Sequence, residues 1–157
     1  MDRKNAKALI VALLAPLGVG AAAALLSPGM RDFYASGINR PPLSPPGWLF
    51  PVIWTLLYLA MGYASYLVWK RGDCIFRPTA LLAYAVQLIL HFFWPLFFFG
   101  LRAFALSFFW LLLLLTAALA TLIYFFRCER RAGWWFSPYV VWLVFAAYLN
   151  LGVWILN

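Results

Sequence analysis

The chain has 157 residues, of which 67% are hydrophobic and 10% are charged, and its formal net charge is +8. A water-soluble domain is about 45–50% apolar and about 25% charged, so this composition excludes a soluble enzyme. The cations lie in short clusters between apolar runs and form no continuous basic face, which excludes a nucleic-acid-binding protein.

Five apolar segments separate at the charged residues, and each is long enough to cross a bilayer as a helix of about 20 residues. They cover residues 8–26, 48–69, 78–99, 103–126 and 133–156. Their hydrophobicity is continuous and lacks period-two alternation, which favours helices over a membrane barrel. We therefore predict an all-α integral membrane protein, a bundle of five transmembrane helices forming one domain over residues 1–157.

The first segment follows three cations and therefore also resembles a secretory signal peptide. Its apolar run is longer than the usual signal core of about 7–15 residues, so we favour a retained helix. Gly18 with Ala22 and Gly20 with Ala24 place small residues four apart. This spacing allows transmembrane helices to approach closely.

The first connection, residues 27–47, is long for so compact a protein, and such loops are usually functional or disordered. It contains five prolines and the aromatic pair Phe33 and Tyr34. Because proline stiffens the backbone, we predict a packed lid. The other three connections are short.

Polar and aromatic side chains recur at helical spacing in three of the spans. The second span has Trp54, Tyr58, Met61 and Ser65; the third has Gln87, His91 and Trp94, with a kink expected at Pro95; the fifth has Tyr139, Trp142, Ala146 and Leu149 or Asn150. Three such faces turned inward would enclose a cavity for a large planar or sterol-like molecule.

Each of these features has a structural alternative. An aromatic stripe is often simple helix packing, and a tryptophan near the end of a span, such as Trp48, Trp69 or Trp134, is often an interfacial anchor. His91 is more often a hydrogen-bond partner between helices than a metal ligand.

Residues for conventional catalysis or metal binding are scarce. The four acidic residues lie outside the spans, which argues against an ion-coupled pump. His91 is the single histidine, so it cannot supply a catalytic triad or a metal cluster alone. Cys74 and Cys128 have no neighbours at metal-ligand spacing, and we interpret them as incidental thiols.

Lysine and arginine favour one side of the predicted bundle. Nine of the twelve lie at the N-terminus, the second connection or the fourth connection. In a bacterial inner membrane this bias predicts a cytoplasmic N-terminus and places both cysteines on the reducing side. The rule does not apply to an outer membrane, so an outer-membrane location is not excluded.

Four segments in register resemble the tryptophan-rich sensory protein family (TspO/MBR), the bacterial relatives of the mitochondrial translocator protein or peripheral-type benzodiazepine receptor. They are residues 41–58, PPLSPPGWLFPVIWTLLY; residues 61–70, MGYASYLVWK; residues 94–100, WPLFFFG, followed by Arg102; and residues 137–150, SPYVVWLVFAAYLN. The resemblance covers most of the chain from Phe33 onward.

The resemblance implies a homodimer of five-helix bundles with a pocket beneath the first loop that binds porphyrins such as protoporphyrin IX, with no cofactor required. It also implies binding of benzodiazepine and isoquinoline carboxamide ligands. Trp54 and Trp142 match tryptophans implicated in light-dependent porphyrin breakdown, and Ala146 matches a small pocket residue whose size affects ligand fit. The expected ligand-binding residues are Phe33, Tyr34, Pro45, Pro46, Trp48, Phe50, Trp54, Tyr58, His91, Trp94, Trp142, Ala146 and Leu149.

Three positions depart from the family pattern. Phe33 stands where tryptophan is usual, Leu43 where an aromatic residue is usual, and His91 where asparagine is common. The end of the fifth span also lacks the tyrosine and the cation of the animal cholesterol-recognition stretch, so we expect no cholesterol binding through that motif.

The interpretation that combines these features is a membrane protein that binds porphyrins, with light-dependent porphyrin breakdown and a role in tetrapyrrole or stress regulation as further expectations. One alternative is a transporter of porphyrins or other lipophilic metabolites, although the five unequal spans show none of the internal repeats common in transporters. A sensor or scaffold that acts through a partner protein is a third hypothesis.

Overall fold

The computed structural model describes residues 3–27, 29–33 and 35–157, with the backbone alone at Arg31 and Asp32. Within these residues five helices are long and apolar enough to cross a membrane, and the predicted five-helix membrane fold is confirmed. The helices are α1 (Arg3–Leu25), α2 (Gly29–Phe33), α3 (Leu49–Lys70), α4 (Arg77–Pro95), α5 (Phe104–Cys128) and α6 (Arg130–Leu156). The short α2 lies in the first connection and was not predicted.

The helix boundaries follow from local chemistry. α4 ends at Pro95 and continues as one π-helical turn, Leu96–Gly100, since proline has no backbone N–H to continue the regular hydrogen-bond ladder. The predicted change at Pro95 therefore takes the form of a wider turn. At the start of α6 the Glu129 carboxylate accepts a hydrogen bond from the Arg131 backbone N–H at 3.3 Å, which satisfies one of the unpaired donors of the helix terminus.

The helices pack so that α5 lies between α4 and α6, while α3 contacts both α6 and α1. α1 and α3 approach very closely at Gly62, where a Cβ atom would lie 2.5 Å from the Ala12 carbonyl oxygen. Gly20 packs against the Tyr58 ring, whereas Gly18 has no such neighbour within 4 Å. The small residues of α1 therefore serve close packing at Gly20 but not at Gly18.

A disulfide joins Cys74 and Cys128, which are 54 residues apart in the chain. It links the α3–α4 connection to the end of α5, and Arg71 adds a 3.5 Å ion pair to Glu129 beside it. The interpretation of these cysteines as incidental thiols is therefore wrong. The sequence places both connections at one end of the predicted bundle, but it does not show that Cys74 and Cys128 lie next to each other there.

The first connection is fastened to the C-terminal end of α6. The Asn39 backbone N–H donates to Asn157 Oδ1 at 3.1 Å, and Asn157 Nδ2 donates to the Asn39 carbonyl at 2.9 Å. The Tyr148 hydroxyl donates to the Pro42 carbonyl at 2.9 Å. These bonds hold residues 39–42 over the end of the bundle that faces away from the disulfide. Tyr34, which was expected to belong to the lid, lies outside the described residues.

Candidate functional site

A small pocket, with a cavity volume of about 40 Å³, lies between the first connection and the interior of the bundle. Its lining is almost wholly apolar, and the side chains come from the first connection, α3, α4 with its π-helical turn, and α6. The lining residues are Phe33, Arg40, Ser44, Pro45, Phe50, Trp54, Trp94, Phe98, Phe99, Ala146, Leu149, Asn150 and Val153.

Trp54 is the centre of an aromatic cluster at the inner end of the pocket. Its ring centroid lies 4.8 Å from His91 and 5.7 Å from Tyr58, on which it stacks. Trp94 and Trp142 lie 6.4 and 6.3 Å away. Such distances are typical of favourable aromatic contacts. The cluster therefore joins indole and phenol rings of α3, α4 and α6, as the helical spacing predicted.

Two hydrogen bonds between helices hold this cluster in place on the side away from the pocket. The Tyr58 hydroxyl and His91 Nε2 are 2.7 Å apart, and the Tyr139 hydroxyl donates to Gln87 Oε1 at 2.8 Å. His91 is 1% exposed. The interpretation of His91 as a hydrogen-bond partner between helices agrees with this geometry. These bonds fix the rings that touch Trp54, because a hydrogen bond between spans restrains both helices.

Asn150 organises the α6 side of the pocket. Its Oδ1 accepts hydrogen bonds from Trp94 Nε1 at 3.1 Å and from the Ser107 hydroxyl at 3.0 Å. Its Nδ2 donates to the Phe104 carbonyl at 3.0 Å. One buried amide therefore joins α4, α5 and α6, and it sets the orientation of the Trp94 indole in the pocket wall.

Three phenylalanines close the pocket beneath the first connection. The Phe33 ring lies 5.2 Å from both Phe98 and Phe99, edge-on to the latter. Phe98 also stacks on Trp94 at 5.6 Å. Because α2 carries Phe33 and the π-helical turn carries the other two, the short helix and the turn meet directly over the pocket.

Several predicted site residues converge on the pocket and others do not. Phe33, Pro45, Phe50, Trp54, Trp94, Ala146 and Leu149 line it. Tyr58, His91 and Trp142 lie behind this lining and contact Trp54, while Pro46 lines an open groove on the outer side of the first connection. Trp48 is 70% exposed and lines neither cavity, which agrees with the interfacial-anchor alternative.

The pocket also contains residues that sequence reasoning missed. Arg40, Ser44, Phe98, Phe99 and Val153 were not among the expected site residues, and Asn150 was considered only as an alternative to Leu149. The WPLFFFG segment was a usable signal for the two phenylalanines. Phe98 follows Trp94 by four residues, so a regular helix would also place it on the Trp94 face. Phe99 lies one residue further, and its position depends on the π-helical turn.

Three buried polar atoms behind the pocket have no hydrogen-bond partner among the described residues: Trp142 Nε1, His91 Nδ1 and Gln87 Nε2. Buried polar groups normally find a partner in protein or ordered water. These three atoms lie among the aromatic rings, so the region could bind a polar atom of a ligand as well as its flat apolar surface. The arrangement suits the binding of a flat, largely apolar ligand.

Comparison with known proteins gives consistent matches over the chain. The sequence model of the TspO/MBR family matches residues 11–155. The Tryptophan-rich protein TspO of Archaeoglobus fulgidus is 31% identical over 156 residues, which are 98% of this chain and 99% of that protein. The Tryptophan-rich sensory protein of Cereibacter sphaeroides is 34% identical, over 96% of this chain and 92% of that protein. The Translocator protein of Ovis aries is 42% identical over 78% of this chain and 73% of that protein.

Proposed function

Because the chain belongs to the TspO/MBR family of membrane proteins, we propose that it binds protoporphyrin IX or a related tetrapyrrole in the pocket beneath the first connection, as a homodimer in a bacterial membrane. The observation that carries the proposal is the convergence of indole, phenol and phenyl rings from α2, α3, α4 and α6 around Trp54. Flat aromatic surfaces with few polar groups are suited to a planar apolar macrocycle.

The pocket has to widen to admit a ligand of this kind. Its cavity volume of about 40 Å³ is well below the usual range of about 300–1,000 Å³ for small-molecule sites. Phe33 packs across it against Phe98 and Phe99. A macrocycle therefore enters when the first connection moves outward, and closure of the same residues over it excludes water.

Titration of the detergent-solubilised protein with protoporphyrin IX tests this proposal. We expect saturable quenching of tryptophan fluorescence, because Trp54 and Trp94 line the pocket. Ala146→Phe adds a ring to the buried α6 wall of the pocket and is expected to weaken binding by about tenfold or more, since overpacking costs about 1–3 kcal/mol.

Val144→Phe is the matched control, because Val144 lies on the same helix and is 55% exposed on the outer face of the bundle. It adds similar bulk outside the pocket and is expected to leave the dissociation constant unchanged. Equal effects of the two substitutions, or no saturable binding to the unaltered protein, would rule out the assigned pocket.

Light-dependent breakdown of the bound porphyrin is a second part of the proposal. Trp54 lines the pocket and contacts Trp142 at 6.3 Å, and an indole beside a photoexcited porphyrin can donate an electron to it. This reaction needs no general base. Loss of the porphyrin absorbance band under illumination, compared with a sample kept dark, tests whether it occurs.

Transport is the alternative function, and relatives bear the name Translocator protein. The pocket opens toward the first connection, and the buried Tyr139 and Gln87 pair occupies the bundle below Trp54. We therefore favour a binding site that is closed at its inner end over a channel through the bundle. Saturable porphyrin flux across liposomes that contain the protein, lost in Ala146→Phe, would instead establish transport.

We propose further that the N-terminus faces the cytoplasm of a bacterial inner membrane, with the first connection outside. The excess of lysine and arginine at one end supports this orientation. The Cys74–Cys128 disulfide lies at that same end, and disulfides persist mainly in oxidising compartments. The disulfide therefore argues for the opposite orientation, with this end of the bundle in an oxidising compartment, and a labelling experiment decides between the two.

A membrane-impermeant maleimide distinguishes the two orientations in a Cys74→Ser, Cys128→Ser background. Ser36→Cys in the first connection is expected to react in intact spheroplasts, whereas Gly72→Cys in the second connection is expected to react only after lysis. Both positions are exposed, so accessibility does not bias the comparison. The reverse pattern would show that the disulfide end faces outward and would overturn the proposed orientation.

A further inference from the structure

Arg127 lies in the last turn of α5, at the end of the bundle that carries the disulfide. Its guanidinium carbon is 5.4 Å from the centre of the Phe76 ring and 5.9 Å from the centre of the Tyr124 ring. Phe76 belongs to the second connection and Tyr124 to α5, and their ring centroids are 6.1 Å apart. Each ring attracts the cation, so this aromatic platform gives the Arg127 side chain a preferred position.

The Cys74–Cys128 disulfide holds the two sides of this platform together. Cys128 directly follows Arg127 on α5, and Cys74 lies two residues before Phe76 in the second connection. The covalent bond therefore keeps the second connection against the end of α5. It fixes the position of the cation relative to a ring that comes from another segment of the chain.

Arg127 forms no ion pair with the described residues. Asp73 and Glu129 are the two acidic residues that the structure describes at this end of the bundle, and both pair with Arg71, at 3.6 and 3.5 Å. Arg127 is exposed, and a guanidinium carries five N–H donors. An anion from outside the chain can therefore pair with it.

Exposed apolar side chains lie beside this cation. Ile75 in the second connection is 84% exposed, and Ile123, one turn before Arg127 on α5, is 52% exposed. Residues four apart share a face of a helix, so Ile123 lies below Arg127 on the side of the membrane interior. Apolar surface beneath a cation is the pattern expected where acyl chains meet the headgroups of a bilayer.

We propose that Arg127 binds the phosphate of an anionic phospholipid, whose acyl chains lie along Ile123 on the outer face of α5. A guanidinium pairs with phosphate through two parallel hydrogen bonds, and basic sites beside transmembrane helices recognise anionic headgroups. The inference goes beyond the proposed function, because this site lies at the opposite end of the bundle from the first connection. It does not depend on porphyrin binding.

Native mass spectrometry of the protein in non-ionic detergent tests this inference with two lipids that share dioleoyl chains. Phosphatidylglycerol is anionic, whereas the choline group of phosphatidylcholine neutralises its phosphate. The unaltered protein is expected to bind the first phosphatidylglycerol about tenfold more tightly than phosphatidylcholine. The micelle has no charged surface, so the preference reports a local contact. Equal affinity for the two lipids overturns the inference.

Three variants locate the preference for the anionic lipid. Arg127→Gln is expected to bring the ratio of the two affinities to within about threefold, and Arg127→Lys to retain part of it, because lysine keeps the charge but lacks the planar fork. Arg130→Gln is the matched control, since it removes an exposed cation from the adjoining start of α6. It is expected to keep the full ratio. Equal losses in Arg127→Gln and Arg130→Gln would show attraction by total charge and overturn the assignment to Arg127. Unchanged thermal unfolding of these variants checks that the fold is intact.

Two further measurements test the platform and the kind of ligand. The double variant Cys74→Ser, Cys128→Ser keeps every cation but releases the second connection, so the ratio is expected to fall severalfold; an unchanged ratio overturns the role given to the disulfide. Excess inorganic phosphate is expected to leave the lipid bound, because it lacks acyl chains to pack on Ile123. Displacement of phosphatidylglycerol by inorganic phosphate would identify a site for free phosphate and overturn the lipid assignment.

Discussion

Trp54→Ala is expected to weaken the binding of protoporphyrin IX by about 100-fold, which corresponds to about 2.7 kcal/mol. Trp54 lines the pocket and its ring contacts His91, Tyr58, Trp94 and Trp142. Truncation removes the stacking surface for the macrocycle, and tryptophans at the centre of a site often contribute more than about 2 kcal/mol each. Fluorescence and absorbance titrations of the detergent-solubilised variant measure the loss.

Trp54→Phe separates the packing role of this residue from its chemical role. Phenylalanine preserves an apolar ring between Tyr58 and Trp94, so the affinity is expected to fall by less than about tenfold. It removes the readily oxidised indole, so the light-dependent loss of bound porphyrin is expected to slow severalfold at equal occupancy. An unchanged rate of photoproduct formation would mean that Trp54 is not the electron donor, and Trp142→Phe would then be the next variant to examine.

The transmembrane architecture was predictable because each span depends on the composition of about 20 consecutive residues. The observed helices begin and end within a few residues of the predicted spans, and the start of α1 differs most. The inward faces were predictable for a similar reason. Trp54, Trp94 and Ala146 each lie at helical spacing from polar residues of the same span. In a bilayer the polar residues of a span face the protein interior. Both signals are local in the sequence.

The features that could not be predicted depend on contacts between distant segments. Arg40 reaches the pocket because the first connection is tied to Asn157, a separation of 118 residues for the Asn39 bond. Phe99 reaches it because the π-helical turn after Pro95 changes the helical register. The Cys74–Cys128 disulfide requires the α3–α4 connection and the end of α5 to lie side by side. None of these contacts leaves a periodic signal in the sequence.

Asn150→Leu is expected to lower the free energy of unfolding by about 2–4 kcal/mol, although leucine has the same branching pattern and suits a membrane interior. The asparagine is 1% exposed and joins Trp94, Ser107 and the Phe104 carbonyl. A single hydrogen bond between transmembrane helices contributes about 0.6 kcal/mol on average. The larger expected loss arises because the substitution also leaves the buried Trp94 Nε1 donor without its partner, at about 1–3 kcal/mol.

Thr116→Val is the control for this prediction, because the Thr116 hydroxyl is exposed and donates to the Leu112 carbonyl within its own helix. It removes a polar group from the outer face of α5 without disconnecting two helices, so reversible unfolding in sodium dodecyl sulfate should change by less than about 0.5 kcal/mol. Similar losses for the two variants would mean that Asn150 does not hold α4, α5 and α6 together. If Asn150→Leu instead keeps its stability but loses porphyrin affinity, the amide orients the Trp94 wall of the pocket without supporting the bundle.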